Sequence, residues 1–559
     1  MNSIYIVIFA LSTFYLGYRY YSKYLEKNYN NDSIDPLPSK QYNDGIDFVP
    51  TNKHLLFGHH FTSIAGAAPI IGPCIAVYWG WLPAVIWVVI GTIFMGAVHD
   101  YSSLVISIRE NGKSIADITG KVINKRVRMI FLSFVICLTW LVLAVFAMVI
   151  ATLFTEYPSS VIPINIEIVI AIVIGYLTYK NKKNNIYLSI AALISLYIFV
   201  WVGTLYPIDL HTIGFKESKS IWILFLFIYS SIASLLPVWI LLQPRDYINS
   251  HQLIVALVII YLSIIVFQPS ITAPIIQFPN DAPPMIPFLF ITIACGAISG
   301  FHGLVSSGTT SKQIKRKEDA RLIGYGSMLG EGSLAIATIV ASVAGIALVT
   351  NCDINDIHYS SLDWNNYYNS WKNTVGNKSL SFVLGGAALI EKIGIPMEVA
   401  RTLLSVMVIS FAATTLDTAT RIQRMIITEF GTTTKIPILQ NKYIATIIGV
   451  VPAYLLTING AGGKLWPIFG ASNQMLAAIT LMVLSVYFFK LNKNIIPLSI
   501  PMVIVMIITL ISLFIKTNEF ISSNNYLLVS ISLTLIILIF WMIIECYLFV
   551  RSSIAKSKI

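Results

Sequence analysis

Apolar residues in this chain come in long continuous runs, without the one-sided stripes of soluble helices. An α-helix rises about 1.5 Å per residue, so roughly 20 apolar residues cross a bilayer core of about 30 Å. Fifteen stretches approach that length: 3–18, 57–78, 82–108, 129–154, 161–179, 186–206, 221–242, 253–267, 286–305, 325–349, 399–416, 443–456, 466–489, 495–515 and 526–550. The pattern predicts an all-α polytopic membrane protein of about 15 transmembrane helices. Stretch 351–380, rich in Asn, Ser and aromatics, reads as a folded external loop. Segment 381–393 is too short to span and reads as re-entrant or interfacial.

Most runs are plain Ile, Leu, Val and Phe, but two are broken. The second carries Gly66, Pro69, Gly72 and Pro73 mid-run. Each proline removes a backbone donor, and unwound backbone in a bilayer must be buried or line a cavity. A simple kink and a discontinuous helix facing a substrate or ion both remain open here. The seventh run is interrupted around Pro237. Runs two to six and seven to eleven then form two five-helix units of opposite orientation, each opening on a broken helix, with the Gly66 and Pro237 breaks expected to face each other. This inverted repeat rests on topology and breaks alone. It divides the chain into 1–52 (anchor and linker), 53–206, 207–425 with its loop 351–396, and four C-terminal helices in 426–559.

Composition sharpens the class. Of 559 residues, 56% are hydrophobic and 11% charged, against roughly 25% charged in ordinary globular domains. A soluble enzyme, a disordered chain and a coiled coil are excluded. The net charge of +11 does not signal nucleic-acid binding, because the basic residues lie between apolar runs. With the N-terminus outside, 29 of the 37 Lys and Arg fall on the cytoplasmic side, including those of segments 180–185, 243–252 and 306–324, as the positive-inside rule requires. The first run reads as a retained anchor, since Arg19 and Lys23 follow it and precede nothing resembling a cleavage site. The five cysteines show no metal or redox spacing and read as core residues. No GxxxxGK[ST] motif occurs, so transport would be driven by gradients.

Ionisable groups inside spans are costly and point to function. His59 and His60 open the broken run, His99 and Asp100 lie in the third, and Glu331 sits between glycines in the tenth. Neighbours on a helix diverge, so His99 and Asp100 are expected to meet different partners, such as His59 or His60. His302 and Ser306 share one helical face beside Gly296, Gly300 and Gly303, followed by Ser307, Thr309 and Thr310. Those hydroxyls read either as helix caps or as ligands for a coupling cation or substrate. Asp417, Arg421 and Arg424 share a face and read as a structural ion pair ahead of a substrate clamp.

The wording of several segments resembles the carbon starvation protein A (CstA) family. They are VPTNKHLLFGHHFTSIAGAAPIIGP at 49–73, WGWLP at 79–83, GAVHD at 96–100, SGFHGLVSSGTT at 299–310, LDTATR at 416–421 and LWPIFGASNQMLAA at 465–478. The resemblance implies a bacterial inner-membrane transporter of the amino acid–polyamine–organocation type, associated with peptide uptake in starvation or with proton-coupled pyruvate uptake. Ala68 stands where the family usually has Gly, and the chain is shorter than the best-known members. Expected partners are a peptide or pyruvate-like carboxylate, H+ and membrane lipid, with no cofactor, resident metal or nucleic acid. A metal-ion transporter, a membrane-embedded metallohydrolase and a nutrient sensor are the alternatives. The residues expected at the site are His59, His60, Gly66, Pro69, Gly72, His99, Asp100, His302, Ser306, Ser307, Thr309, Thr310, Glu331 and Asp417.

Overall fold

The computed structural model describes every residue except 31–35, 182–184, 213, 216, 355–356, 377–378, 459–461 and 558–559. Lys182, Lys183, Lys216, Lys378 and Lys558, counted in the charge asymmetry, lie outside the described residues. After α1 (Ile4–Leu16) comes a bent pair, α2 (Lys53–Ala65) and α3 (Ala68–Ala76). The span α4 (Trp81–Arg109) contains a π turn at Thr92–Gly96. Short α5 (Ile115–Val122) leads into α6 (Lys125–Glu156), followed by α7 (Val161–Asn181), α8 (Asn185–Leu205), α9 (Ser218–Leu235) and α10 (Leu242–Phe267). A second interrupted element, α11 (Met285–Thr292) and α12 (Gly300–Gly308), precedes α13 (Arg321–Leu348), which also holds π turns. A hairpin, β1 (Thr350–Ile354) against β2 (Ile357–Ser361), leads through two short helical turns to α14 (Leu380–Glu391) and α15 (Met397–Thr434). The chain ends with α16 (Lys442–Ile458), α17 (Gly462–Lys490), α18 (Ile496–Ser522) and α19 (Tyr526–Ser557).

Among the described residues, ten helices are long and apolar enough to cross a membrane, or eleven with the bent pair as one span. The other four expected spans correspond to α1, α8, the interrupted α11–α12 and the 17-residue α16. The outer faces carry Ile500, Val503, Ile507 and Phe514 of α18 and Ile537, Trp541 and Ile544 of α19, all exposed. Apolar surface of that extent is suited to lipid. This is a multi-pass membrane protein.

The bend in the first broken span has a local cause. Gly66 ends α2 at φ +53°, a conformation that costs glycine little, and α2 and α3 meet at 42°. Pro69 stands in the first turn of α3, where no intrahelical donor is needed. Opposite α3, residues 293–299 are non-helical between α11 and α12. A Cβ on Gly72 would fall 2.4 Å from Thr292 O, so glycine alone lets the two interrupted elements touch. The freed backbone groups are answered by distant side chains. Trp87 Nε1 donates to Ile293 O (3.3 Å), Thr92 Oγ1 to Gly296 O (3.0 Å), and Asn473 Oδ1 of α17 accepts from Phe301 N (2.9 Å).

Two expectations change here. The run 286–305, expected as one span, is itself a broken helix, and it is this break that meets Gly66–Gly72. The stretch around Pro237 is also unwound, but it packs on Gly175 of α7, and Leu236 O accepts from Arg421. Segment 243–252, expected as a cytoplasmic loop, forms the first turns of α10, with Arg245 and Asp246 buried. Its few charges resemble a loop by composition, whereas they pair inside the protein.

The loop after β2 folds over the end of α3. Tyr368 Oη donates to Cys74 O (2.8 Å), and Asp281 accepts from Tyr78 Oη (2.9 Å) and Trp371 N (2.7 Å). The rings of Trp79 and Trp371 lie 4.9 Å apart. The segment reads as a folded lid. Helix α14 is buried beside α15 and the end of α13.

Candidate functional site

Four elements, α2, α4, α12 and α13, bring histidines and carboxylates into one dry cluster. His99 and Asp100 follow a π turn that shifts the helical phase of α4. Asp100 is fully buried, and its two oxygens are divided between two imidazoles: Oδ1 lies 2.9 Å from His99 Nδ1 and Oδ2 lies 2.9 Å from His302 Nδ1. On the far edge of the same ring, His302 Nε2 is 3.4 Å from Glu331 Oε2. His60 Nδ1 lies 2.8 Å from Thr310 Oγ1. His60, His302 and Glu331 are all buried completely. Among the described residues, the Nε2 atoms of His60 and His99, Glu331 Oε1 and Ser306 Oγ have no hydrogen-bond partner, and His302 Nε2 and Glu331 Oε2 have only each other. Buried polar atoms without partners are expensive, and a chain of carboxylates and imidazoles can accept, pass and release protons.

His59, next to His60, faces the other way. Its Nδ1 is 2.5 Å from Asp246 Oδ2. Asp246 adjoins Arg245, whose guanidinium pairs with Asp417 and donates to Tyr229 Oη (2.7 Å). Tyr229 Oη also donates to Asp417 (2.9 Å). Glu167 of α7 accepts from Ser410 Oγ (2.6 Å) and lines a small cavity with Arg245 and Tyr229. One guanidinium thus lies among three buried carboxylates.

The expected residues fall into these two groups with some changes of partner. Asp100 bridges its neighbour His99 and His302 of α12, where separate partners for His99 and Asp100 across to His59 or His60 were expected. Asp417 pairs with Arg245 of another helix, while Arg421 pairs with Asp47 (2.7 Å). Of the four hydroxyls, Ser307 and Thr309 donate back to Gly303 O and Val305 O, four residues earlier, and Ser307 Oγ also accepts from Ile115 N (3.1 Å). Thr310 reaches His60, and Ser306 stays buried and unpartnered. Gly66, Pro69 and Gly72 shape the backbone beside the cluster. Sequence reasoning missed Arg245, Asp246, Glu167 and Tyr229. It also missed Asn473 and Gln474, although a polar SNQ triplet within an apolar run was a visible signal. Among the described residues, no three His, Cys, Asp or Glu side chains are grouped as a metal ion would need.

Access differs at the two ends. The lid closes over α3. At the opposite end of α12 a cavity of about 400 Å³ opens to the surface, lined by Phe48, Ser114, Ser307, Lys312 and Glu429 among others.

The model of the family "Carbon starvation protein CstA" matches residues 2–512. "Peptide transporter CstA" of Helicobacter pylori (strain ATCC 700392 / 26695) is 32% identical, over 95% of this chain and 84% of that protein. "Pyruvate/proton symporter BtsT" of Escherichia coli (strain K12) is 30% identical, over 88% of this chain and 78% of that one. Among solved structures, a mutant manganese transporter of Eremococcus coleocola aligns over 91% of this chain and 99% of its own, at 12% identity and a TM-score of 0.48. The match along nearly the whole chain makes this protein a member of the carbon starvation protein CstA family.

Proposed function

We propose that the protein is a secondary transporter that imports peptides or pyruvate-like carboxylates together with protons, in the bacterial inner membrane and under carbon starvation. The observation that carries the coupling is Asp100, a fully buried carboxylate shared by His99 and His302, where the two interrupted helices meet. A site built to hold charge at the helix breaks is what alternating access requires. The names of the relatives support the two substrate classes.

In this reading the fold contains an inverted repeat whose units open on α2–α3 and on α11–α12. Each break is followed by a π-containing span, a short helix and a long helix: α4, α5, α6 and then α13, α14, α15. The sequence-based divisions were 53–206 and 207–425; a second unit that opens on α11–α12 begins after α9 and α10, with its broken helix at 293–299 in place of Pro237. The fifteen-span count, an outside N-terminus and a cytoplasmic C-terminus belong to the same proposal. Labelling of Lys315→Cys by an impermeant reagent in intact cells would contradict that orientation.

The coupling role is tested on one purified Asp100→Asn preparation in proteoliposomes. Loss of gradient-driven accumulation with counterflow retained is expected. Normal uphill accumulation would remove Asp100 from the mechanism.

A further inference from the structure

The surface cavity beside α12 carries an ammonium that forms no ion pair among the described residues. Its rim holds Asp117 and Glu429, but both are taken by Arg128, at 2.5 and 3.1 Å. The neighbouring Asp47 is taken by Arg421 at 2.7 Å. Lys312, also in the lining, has its ammonium 5.4 Å from the ring centroid of Phe48. Among the described residues, no carboxylate lies within ion-pair distance of it. Burial pulls that ammonium below the ordinary lysine range, with Asp47 opposing the pull. The charged groups around it are Asp44, Asp47, Arg421 and Glu429.

The cavity wall also holds Ser114 and Ala116 at the start of α5. The volume of about 400 Å³ suits a ligand of a few to a dozen heavy atoms. The inner wall is Leu304 and Ser307 of α12, the helix that carries His302.

We propose that Lys312 is a docking point for the carboxylate of the transported substrate at the cytoplasmic mouth of the protein, where the substrate leaves on import and enters on exchange. The inference rests on the transport reading and adds the group that recognises the substrate. Pyruvate and peptides share a carboxylate, so one ammonium serves both, and its phenylalanine neighbour shields it without competing for it. An incoming carboxylate supplies the partner that a desolvated ammonium lacks.

The test is counterflow of labelled pyruvate and labelled dialanine presented to the face that carries the 306–324 loop, in proteoliposomes, with wild type, Lys312→Gln and Lys312→Arg compared at equal amounts of folded protein. Lys312→Gln should raise KM for both compounds by roughly ten- to a hundredfold, the range for one charge-assisted hydrogen bond, with a much smaller change in kcat. Lys312→Arg should recover most of the loss. Independently of any variant, methyl pyruvate and dialanine amide, which lack the carboxylate, should fail to compete with wild-type transport. If wild type moves the labelled compounds and Lys312→Gln leaves KM unchanged, or the amide competes as well as the acid, this inference falls and the transport reading stands. A wild type that moves neither compound overturns both.

Discussion

At Asp100 one side chain has two jobs that a single substitution can separate. If it only held His99 and His302 in place, Asp100→Asn would lower thermal stability and leave coupling per folded molecule unchanged. The proposed proton role predicts the converse: near-normal melting, near-normal counterflow and no accumulation under a proton gradient. The Arg245–Asp417 pair is expected to behave as structure. Removing one partner of a buried ion pair typically costs about 3–5 kcal/mol, because the other charge is left stranded. Arg245→Met should therefore depress the melting temperature sharply, and pairing it with Asp417→Leu should restore part of the loss. The histidines and acids of the site were visible in the sequence because a charge within an apolar run stands out. Arg245 and Asp246 were not, since QPRDY beside a helix break has the composition of an interfacial loop. Only the packing of α10 against α2 shows that they are buried.

At the scale of elements, the two breaks are held by different means. Gly66 supplies a backbone conformation, whereas Gly72 supplies space. Gly72→Ala would place a methyl 2.4 Å from Thr292 O, forcing the interrupted helices apart at about 1–3 kcal/mol. Gly376→Ala, in the lid turn with nothing within 4 Å, should be close to neutral in the same melting assay. The first break was legible because proline and glycine cluster there. The break at 293–299 was not legible because it carries no proline; its backbone groups are held by Trp87, Thr92 and Asn473, which lie far away in sequence. The lid has a testable pH dependence. The Trp371 N–H, and secondarily the Tyr78 hydroxyl, hold the Asp281 carboxyl below the usual range. A depressed carboxylate stabilises the docked form above its unfolded value, near 3.9, and loses that contribution as pH falls through the folded value. Protection of the Trp371 amide from hydrogen exchange should hold steady from neutral pH to about pH 5 and drop only in stronger acid.

For the whole molecule, the transport proposal makes three parts the stations of one path: the cavity beside Lys312, the buried His–Asp–Glu cluster and the aromatic lid. Under the proposed repeat, each broken helix has the same successors, and the two units would rock against each other about the cluster. Hydropathy alone revealed the membrane class, because lipid-facing composition is a bulk property. The partnership of α2–α3 with α11–α12 depends on packing between residues more than 200 positions apart, which no local pattern encodes. The central claim is that protons moving down their gradient drive carboxylate substrates uphill through this path. The most direct measurement is accumulation of labelled pyruvate and labelled dialanine in sodium-free proteoliposomes, with an imposed inward proton gradient and an ionophore control. Uphill accumulation of at least one compound, abolished by the ionophore and by Asp100→Asn, is the predicted result. Accumulation that persists without the proton gradient, or requires sodium in its place, would contradict the account.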